Sequence, residues 1–405
     1  MNLTSSEQAT LNFYSWEYKY RGYYLFDIPI DIEVPYFSFK HSLYNNKYDF
    51  DDGKVPSLLQ SISNLLLPSK EKEESEQESL ELEPKYLEFN NQPNLIGLLI
   101  SFPKGTEILP NRNIEFLSML SFSEHLLSFE IVGKNDSINI QIVCSEKDRN
   151  HVTSLFKAYF PSVIIRDVEV DNFDFNSENT IAIADFGMND EFMLPIATID
   201  SLSIDPLTSI VAAMDTLIIN DVVVFQMLFK GITSPLAKDI PFSVSDGVGG
   251  SFFADLPNMP NSAKVKVSKP LFSVVMRIAA QGENDSRSEY LAQELIRSIS
   301  IVSTSESNKL IPLSNEGYDY SFHEYNLHNR LSNRLGFILN ADELNTFAHY
   351  PNKTVVSNKL GVNEGKTKKA PLSLINQKYY LGINKYNGVD VAVTLNDEMR
   401  LRHTH

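Results

Sequence analysis

Apolar and polar positions alternate in two distinct rhythms along residues 92–175, and the change of rhythm marks the elements. "NLIGLLISFP" (94–103) is a continuous apolar run that Pro103 stops, as a strand would be. In "NRNIEFLSMLSFS" (111–123), Ile114, Leu117 and Leu120 recur at helical spacing. "LLSFEIVG" and "INIQIVCS" (126–133 and 138–145) are two strands joined by the polar turn "KNDS". "EKDRNHVTSLFKAYFP" (146–161) places Val152, Leu155, Phe156 and Tyr159 on one helix face and ends at Pro161; "SVIIRDVEV" (162–170) is a strand. The order strand–helix–strand–strand–helix–strand predicts a ferredoxin-like module.

The plan recurs over 176–352. "TIAIADF" predicts a strand. Asp205 and Pro206 open a helix through "LTSIVAAMDTL", and "DVVVFQMLFK" (221–230) and "LFSVVMRIAAQ" (271–281) are strands. Residues 231–268, rich in Gly, Pro, Ser and Asn, predict an insertion loop. "SRSEYLAQELIRSIS" opens on the pair Ser286 and Glu289, and "NADELNTFAHYP" on Asn340 and Glu343, both at capping-box spacing. Residues 353–405 read as a basic connector followed by a hairpin, "KYYLGINKYNGVDVAVTL", with Asn387-Gly388 in its turn. Upstream, residues 1–66 are aromatic and punctuated by Pro29, Pro35 and Pro56, and predict an irregular β-rich segment. Residues 67–91, containing "EKEESEQESLELE", predict an acidic flexible linker. The expected class is therefore α+β: two ferredoxin-like (βαββαβ-type) modules, a β-rich N-terminal segment and a C-terminal hairpin.

Composition adds compartment and charge. The 405 residues are 42% hydrophobic and 21% charged, as in folded globular chains. The net charge of −17 argues against a general affinity for polyanions. It is unevenly spread, however: from Lys353 to Lys385 there are seven lysines and one acid, Glu364. The single cysteine, Cys144, excludes an internal disulfide and sits at the end of an apolar strand as a small core residue. No apolar run reaches the roughly 18–20 residues that span a bilayer, and no signal peptide is evident, so a cytoplasmic location without direct membrane insertion is expected.

Motifs with catalytic overtones fail on spacing. "HEYNLH" (323–328) resembles a zinc-protease signature, but histidines at i and i+5 lie about 140° apart on a helix. No metal site, cofactor or catalytic residue is expected. "DGVGG" (246–250) neither follows an apolar strand nor opens a helix, so it reads as a loop. "GVNEGKTKKAP" (361–371) suggests a phosphate loop, yet only three residues separate Gly361 and Gly365 where four are needed. Pro371 would also break the helix that should follow. What remains there is charge: Lys366, Lys368 and Lys369 are candidate contacts for DNA phosphates or an acidic partner. Arg330 and Arg334, at i, i+4 in "HNRLSNRLGF", would share one helix face and complete the set; their plain alternative is intramolecular ion pairing.

The ordered series "LFSVVMRIAA", "YLAQELIRSI", "NKLIPLSNEGYDY", "LHNRLSNRLGFILNADELNTFAHYPNKTVVSNKL" and "KTKKAP" resembles the region ahead of the motor in HerA/FtsK-type ATPases of conjugative transfer systems, relatives of type IV secretion ATPases and coupling proteins. "LLSFEIVG…INIQIVCSEKDRNHVTSLFKAYFP" resembles the ferredoxin-like module preceding it. The resemblance covers about residues 95–405 and implies that the Walker A and B core lies beyond His405. It thus implies a non-enzymatic docking and assembly region. Its partner would be an ATPase motor, in its own or a separate chain, within a homo-oligomeric ring. DNA and a membrane-associated secretion channel are further partner candidates. The alternative is a stand-alone structural adaptor that binds a motor or secretion component, with no nucleotide chemistry.

Overall fold

The computed structural model describes residues 4–41, 94–103, 105–170, 173–361, 369–386 and 389–402. The acidic stretch 67–91, Lys366, Lys368 and the Asn387-Gly388 turn lie outside them. Among the described residues no helix is long and apolar enough to cross a membrane.

The first module follows the predicted order: β1 (Leu95–Ser101), a helix (Pro110–Leu120), β2 (Leu127–Lys134), β3 (Ile138–Ser145), a second helix (Arg149–Tyr159) and β4 (Ile164–Val168). The second repeats it with β5 (Ala182–Met188), a helix (Leu207–Asp215), β6 (Val222–Gly231), β7 (Leu271–Gln281), a long helix (Asp285–Ser303) and the short β8 (Leu310–Pro312). Both are ferredoxin-like, and they are fused. The sheet runs β4-β1-β3-β2-β6-β7-β5-β8, with β2 and β6 antiparallel from Leu127↔Phe229 to Lys134↔Val222. Each module thus closes its exposed β2-type edge against the other, removing two open ladders. A ninth strand, β9 (Phe337–Asn340), pairs with the start of β7.

One face of the sheet carries the four helices of the two modules. Phe129, Ile131, Ile142, Phe225, Met227, Met276 and Ile278 point into one apolar core with Leu117, Phe156, Ile210, Met214, Leu295 and Ile299. Fully burying such side chains contributes about 1.5–3 kcal/mol each, so this face dominates the stability. The β2–β6 seam lets the two helix pairs share that core.

The opposite face is covered by two segments that sequence periodicity described less well. The first lies in the N-terminal region, where Ile32 packs on Leu228 and Val275, while the helix that precedes it joins the helix-side core. Expected to be β-rich, this region opens instead on α1 (Ser5–Glu17), started by a full capping box in which Thr4 and Glu7 hydrogen-bond reciprocally. Phe13 and Trp16 form its buried stripe, which Tyr20 extends in the 3-10 turn that follows, so the helical signal was present but masked by the prolines downstream. Residues 24–40 contain bends and isolated bridges and form no strand. The second cover is the helix Tyr320–Asn329 and the segment after it. In chain order the helices are numbered α1; α2 and α3 of the first module; α4 (Leu207–Asp215); α5 (Leu236–Ser243); α6 (Met259–Lys266); α7 (Asp285–Ser303); α8 (Tyr320–Asn329); α9 (Ala341–Asn345); and α10 (Asp397–Arg402).

Two local expectations change. The insertion at 231–268 is not only loop: it folds α5 and α6, and the fully buried pair Lys266–Glu343 (2.8 Å) ties it to α9. α7 is capped by Asn284, whose side chain accepts from the Arg287 N–H, rather than by Ser286. The capping box at Asn340 and Glu343 forms as expected.

Candidate functional site

In each of five neighbouring strands one polar side chain interrupts an apolar run, and the register places all five side by side. Gln141 on β3 faces Glu130 on β2, Glu130 faces Gln226 on β6, Gln226 faces Arg277 on β7, and Arg277 faces Asp185 on β5. All five are buried. They form a polar row across the sheet on the face opposite the four helices, spanning the seam between modules.

Buried charge requires partners, and the segment after α8 supplies them. Arg330 stands at the C-terminus of α8 in a left-handed conformation (φ 55°), which turns the chain back over the row. Its Nε and Nη2 donate to the two carboxylate oxygens of Glu130 at 2.9 and 3.0 Å. Gln141, Gln226 and Ser128 add three more donors to the same carboxylate at 2.7–2.9 Å. Burial alone would push the Glu130 carboxyl up. The Arg330 charge and these hydrogen bonds outweigh it and hold the group below the usual carboxylate range. The Arg330 guanidinium also lies 4.7 Å from the Phe173 ring centroid.

Four residues on, Arg334 donates from Nε to Asp185 at 3.0 Å. His323 lies 3.2 Å from the same carboxylate. Arg277 approaches it only to 3.6 Å, too long for a hydrogen bond, and donates instead to the Leu331 carbonyl at 2.7 Å. Burial again favours the neutral acid, but His323, Arg277 and Arg334 together hold Asp185 well below its ordinary range. The two arginines therefore fasten one segment to both modules: Arg330 to the first, Arg334 to the second.

This corrects the expectation that Arg330 and Arg334 share an exposed helix face. The helix ends at Asn329, both side chains are buried, and the intramolecular alternative describes them. Lys369 is exposed within the basic connector. His323 and His328 of "HEYNLH" diverge: His323 is buried against Asp185, and His328 packs beside Phe173 and Phe175. Among the described residues no grouping of three or more His, Cys, Asp or Glu side chains could hold a metal. Cys144 is buried, and burial, reinforced by the Asp148 charge, pushes its thiol up to about 12, which removes it as a nucleophile at neutral pH.

From Arg334 the chain continues through β9 and α9 to His349, whose Nε2 lies 2.9 Å from the Asp205 carboxylate at the start of α4. It then passes a cleft of about 360 Å³ lined by Phe102, Arg166, Tyr350 and Lys353. Leu360 is held beside Ile138 at the start of β3, and Lys359 Nζ donates to the Asp215 and Leu217 carbonyls at the C-terminus of α4. The first residues of the basic connector, through Leu360, are thus anchored on the body.

The sequence carried a signal for the polar row that periodicity alone passes over: single polar residues inside "SFEIV", "IQIVC", "FQMLF", "VMRIA" and "IADFG". A family model described as a domain of unknown function (DUF8128) matches residues 109–242, a stretch that begins at α2, crosses the β2–β6 seam and ends in α5. No curated protein matches the chain.

Proposed function

We propose that this chain is a non-catalytic docking and assembly region for a DNA-translocating ring ATPase in conjugative or mobile-element DNA transfer. The observation that carries the reading is the course of residues 330–361. The latter part of the ordered series that resembles the pre-motor region of HerA/FtsK-type ATPases is one continuous strap. It locks both modules through Arg330 and Arg334, joins the sheet as β9, and is tied down by His349 and, in the first residues of the basic connector, by Lys359. A rigid base with a lysine-rich exit suits a region that positions a motor and lies close to its DNA track. The buried charged groups form a fastening between the two modules and the segment after α8.

DNA binding measured at low and high salt tests the phosphate contact. Each lysine–phosphate contact steepens the dependence of log K on log salt by about 0.9, so Lys366→Glu/Lys368→Glu/Lys369→Glu should flatten it. Absence of binding at low salt removes DNA and leaves protein docking, read by co-purification with an FtsK-like motor. The internal use of Arg330 and Arg334 favours the second reading, a stand-alone adaptor, because it withdraws two of the five expected contacts. Failure to change a motor's ATPase rate while still binding it would select the adaptor.

A further inference from the structure

The charge of this chain is segregated between two regions that each expose apolar side chains. Residues 353–405 hold seven lysines and two arginines against four acids, a net +5, which leaves −22 on residues 1–352 of a chain whose total is −17. In the basic region, β10 (Tyr379–Tyr386) and β11 (Val389–Leu395) form a two-stranded hairpin. One side of it is covered locally: the Ala370 N–H donates to Asn384 Oδ1, the Gln377 N–H to Thr394 Oγ1, and the Thr394 hydroxyl to the Leu374 carbonyl. Leu381 and Ile383 remain 52% and 56% exposed, and Ala392, opposite Ile383, is also exposed. A two-stranded hairpin is marginal by itself, and an open apolar side leaves it short of stabilising contacts.

The matching surface is the outer side of α8. Phe322 and Tyr325, one turn apart, are 44% and 47% exposed, with Glu324 between them in sequence. Residues 310–329 contain Glu316, Asp319 and Glu324 and not one lysine or arginine, and the Asp285 charge also acts at neighbouring Tyr320. Aromatic rings in an acidic field attract lysine and arginine side chains as well as apolar ones.

We propose that the basic hairpin region of one copy, carrying Lys369, Leu381 and Ile383, docks on the acidic aromatic surface of α8 in a second copy of this chain. The two surfaces differ, so the contact is heterologous and joins copies head to tail. It is separable from the role proposed above, because self-association is read without motor or DNA.

Sedimentation velocity over a concentration series tests it on the full chain. The wild type should associate, and less so at high salt. Phe322→Glu/Tyr325→Glu and Leu381→Glu/Ile383→Glu should each be monomeric. Mixed together they should form dimers and nothing larger, since one intact surface of each kind remains. A wild type that is monomeric throughout, or a pair of variants that fails to combine, overturns the proposal. Should either double variant fail to fold, Tyr325→Cys and Ile383→Cys chains mixed under oxidation give a second readout, with buried Cys144 out of reach. A disulfide-linked heterodimer supports the contact. A link formed only within a single chain carrying both cysteines shows that the hairpin docks on its own α8 and refutes it.

Discussion

Replacing Arg330 by Met tests whether the strap holds the modules together through charge. Glu130 is fully buried and accepts five hydrogen bonds, two of them from Arg330. Arg330→Met keeps length and apolar bulk but leaves a buried carboxylate with three neutral donors. Removing one member of a buried pair costs about 3–5 kcal/mol. The surviving donors from Gln141, Gln226 and Ser128 place the expected cost near the lower end, about 3 kcal/mol. Adding Glu130→Gln removes the stranded charge and should recover about half of that loss. The pH dependence supplies an independent sign. In the wild type the Glu130 carboxyl is held low, so its contribution is present above the ordinary glutamate range near pH 4.3 and is lost as pH falls through the folded value. Without Arg330, burial dominates and the group moves up, so the variant loses stability as pH rises. The difference between the two proteins should widen from about pH 4 to pH 7. Urea unfolding at several pH values measures it. A cost under about 1 kcal/mol, or one that does not change with pH, would refute the account of the row.

Other outcomes follow from single contacts. Lys266→Ala strands the buried Glu343 carboxylate and should cost about 3–5 kcal/mol in thermal melts, whereas Lys266→Met/Glu343→Gln should stay much nearer the wild type. Gly231→Ala places a Cβ 2.1 Å from the Ser121 carbonyl oxygen and should destabilise by about 1–3 kcal/mol. Gly247→Ala meets no atom within 4 Å and costs only the strain of its positive φ, about 1–2 kcal/mol, so the two variants separate packing from conformation. The Cys144 thiol, buried and pushed up to about 12, should react with a disulfide reagent at the rate of unfolding; immediate labelling of native protein would contradict its placement.

Local sequence determined the elements of this protein. Alternation in "INIQIVCS", the stripe Val152–Phe156 and the capping box at Asn340 are short-range signals, and each is seen in the fold, as is the repeated βαββαβ order. α1 was equally legible in Thr4, Glu7 and the Phe13–Trp16 spacing, but composition spoke louder than periodicity. Tertiary structure decided the fate of the charges. Arg330 and Arg334 sit at spacing that on a helix gives one exposed face. A left-handed residue at position 330 ends that helix, and the two side chains diverge into separate buried carboxylates. No local rule could align Glu130, Gln141, Gln226, Arg277 and Asp185, because strand register depends on pairing between segments whose members of the row lie up to 96 residues apart, fixed by burial of the opposite face. Short-range propensity chose helix and strand; long-range packing chose which polar groups lost their water and therefore which had to find one another.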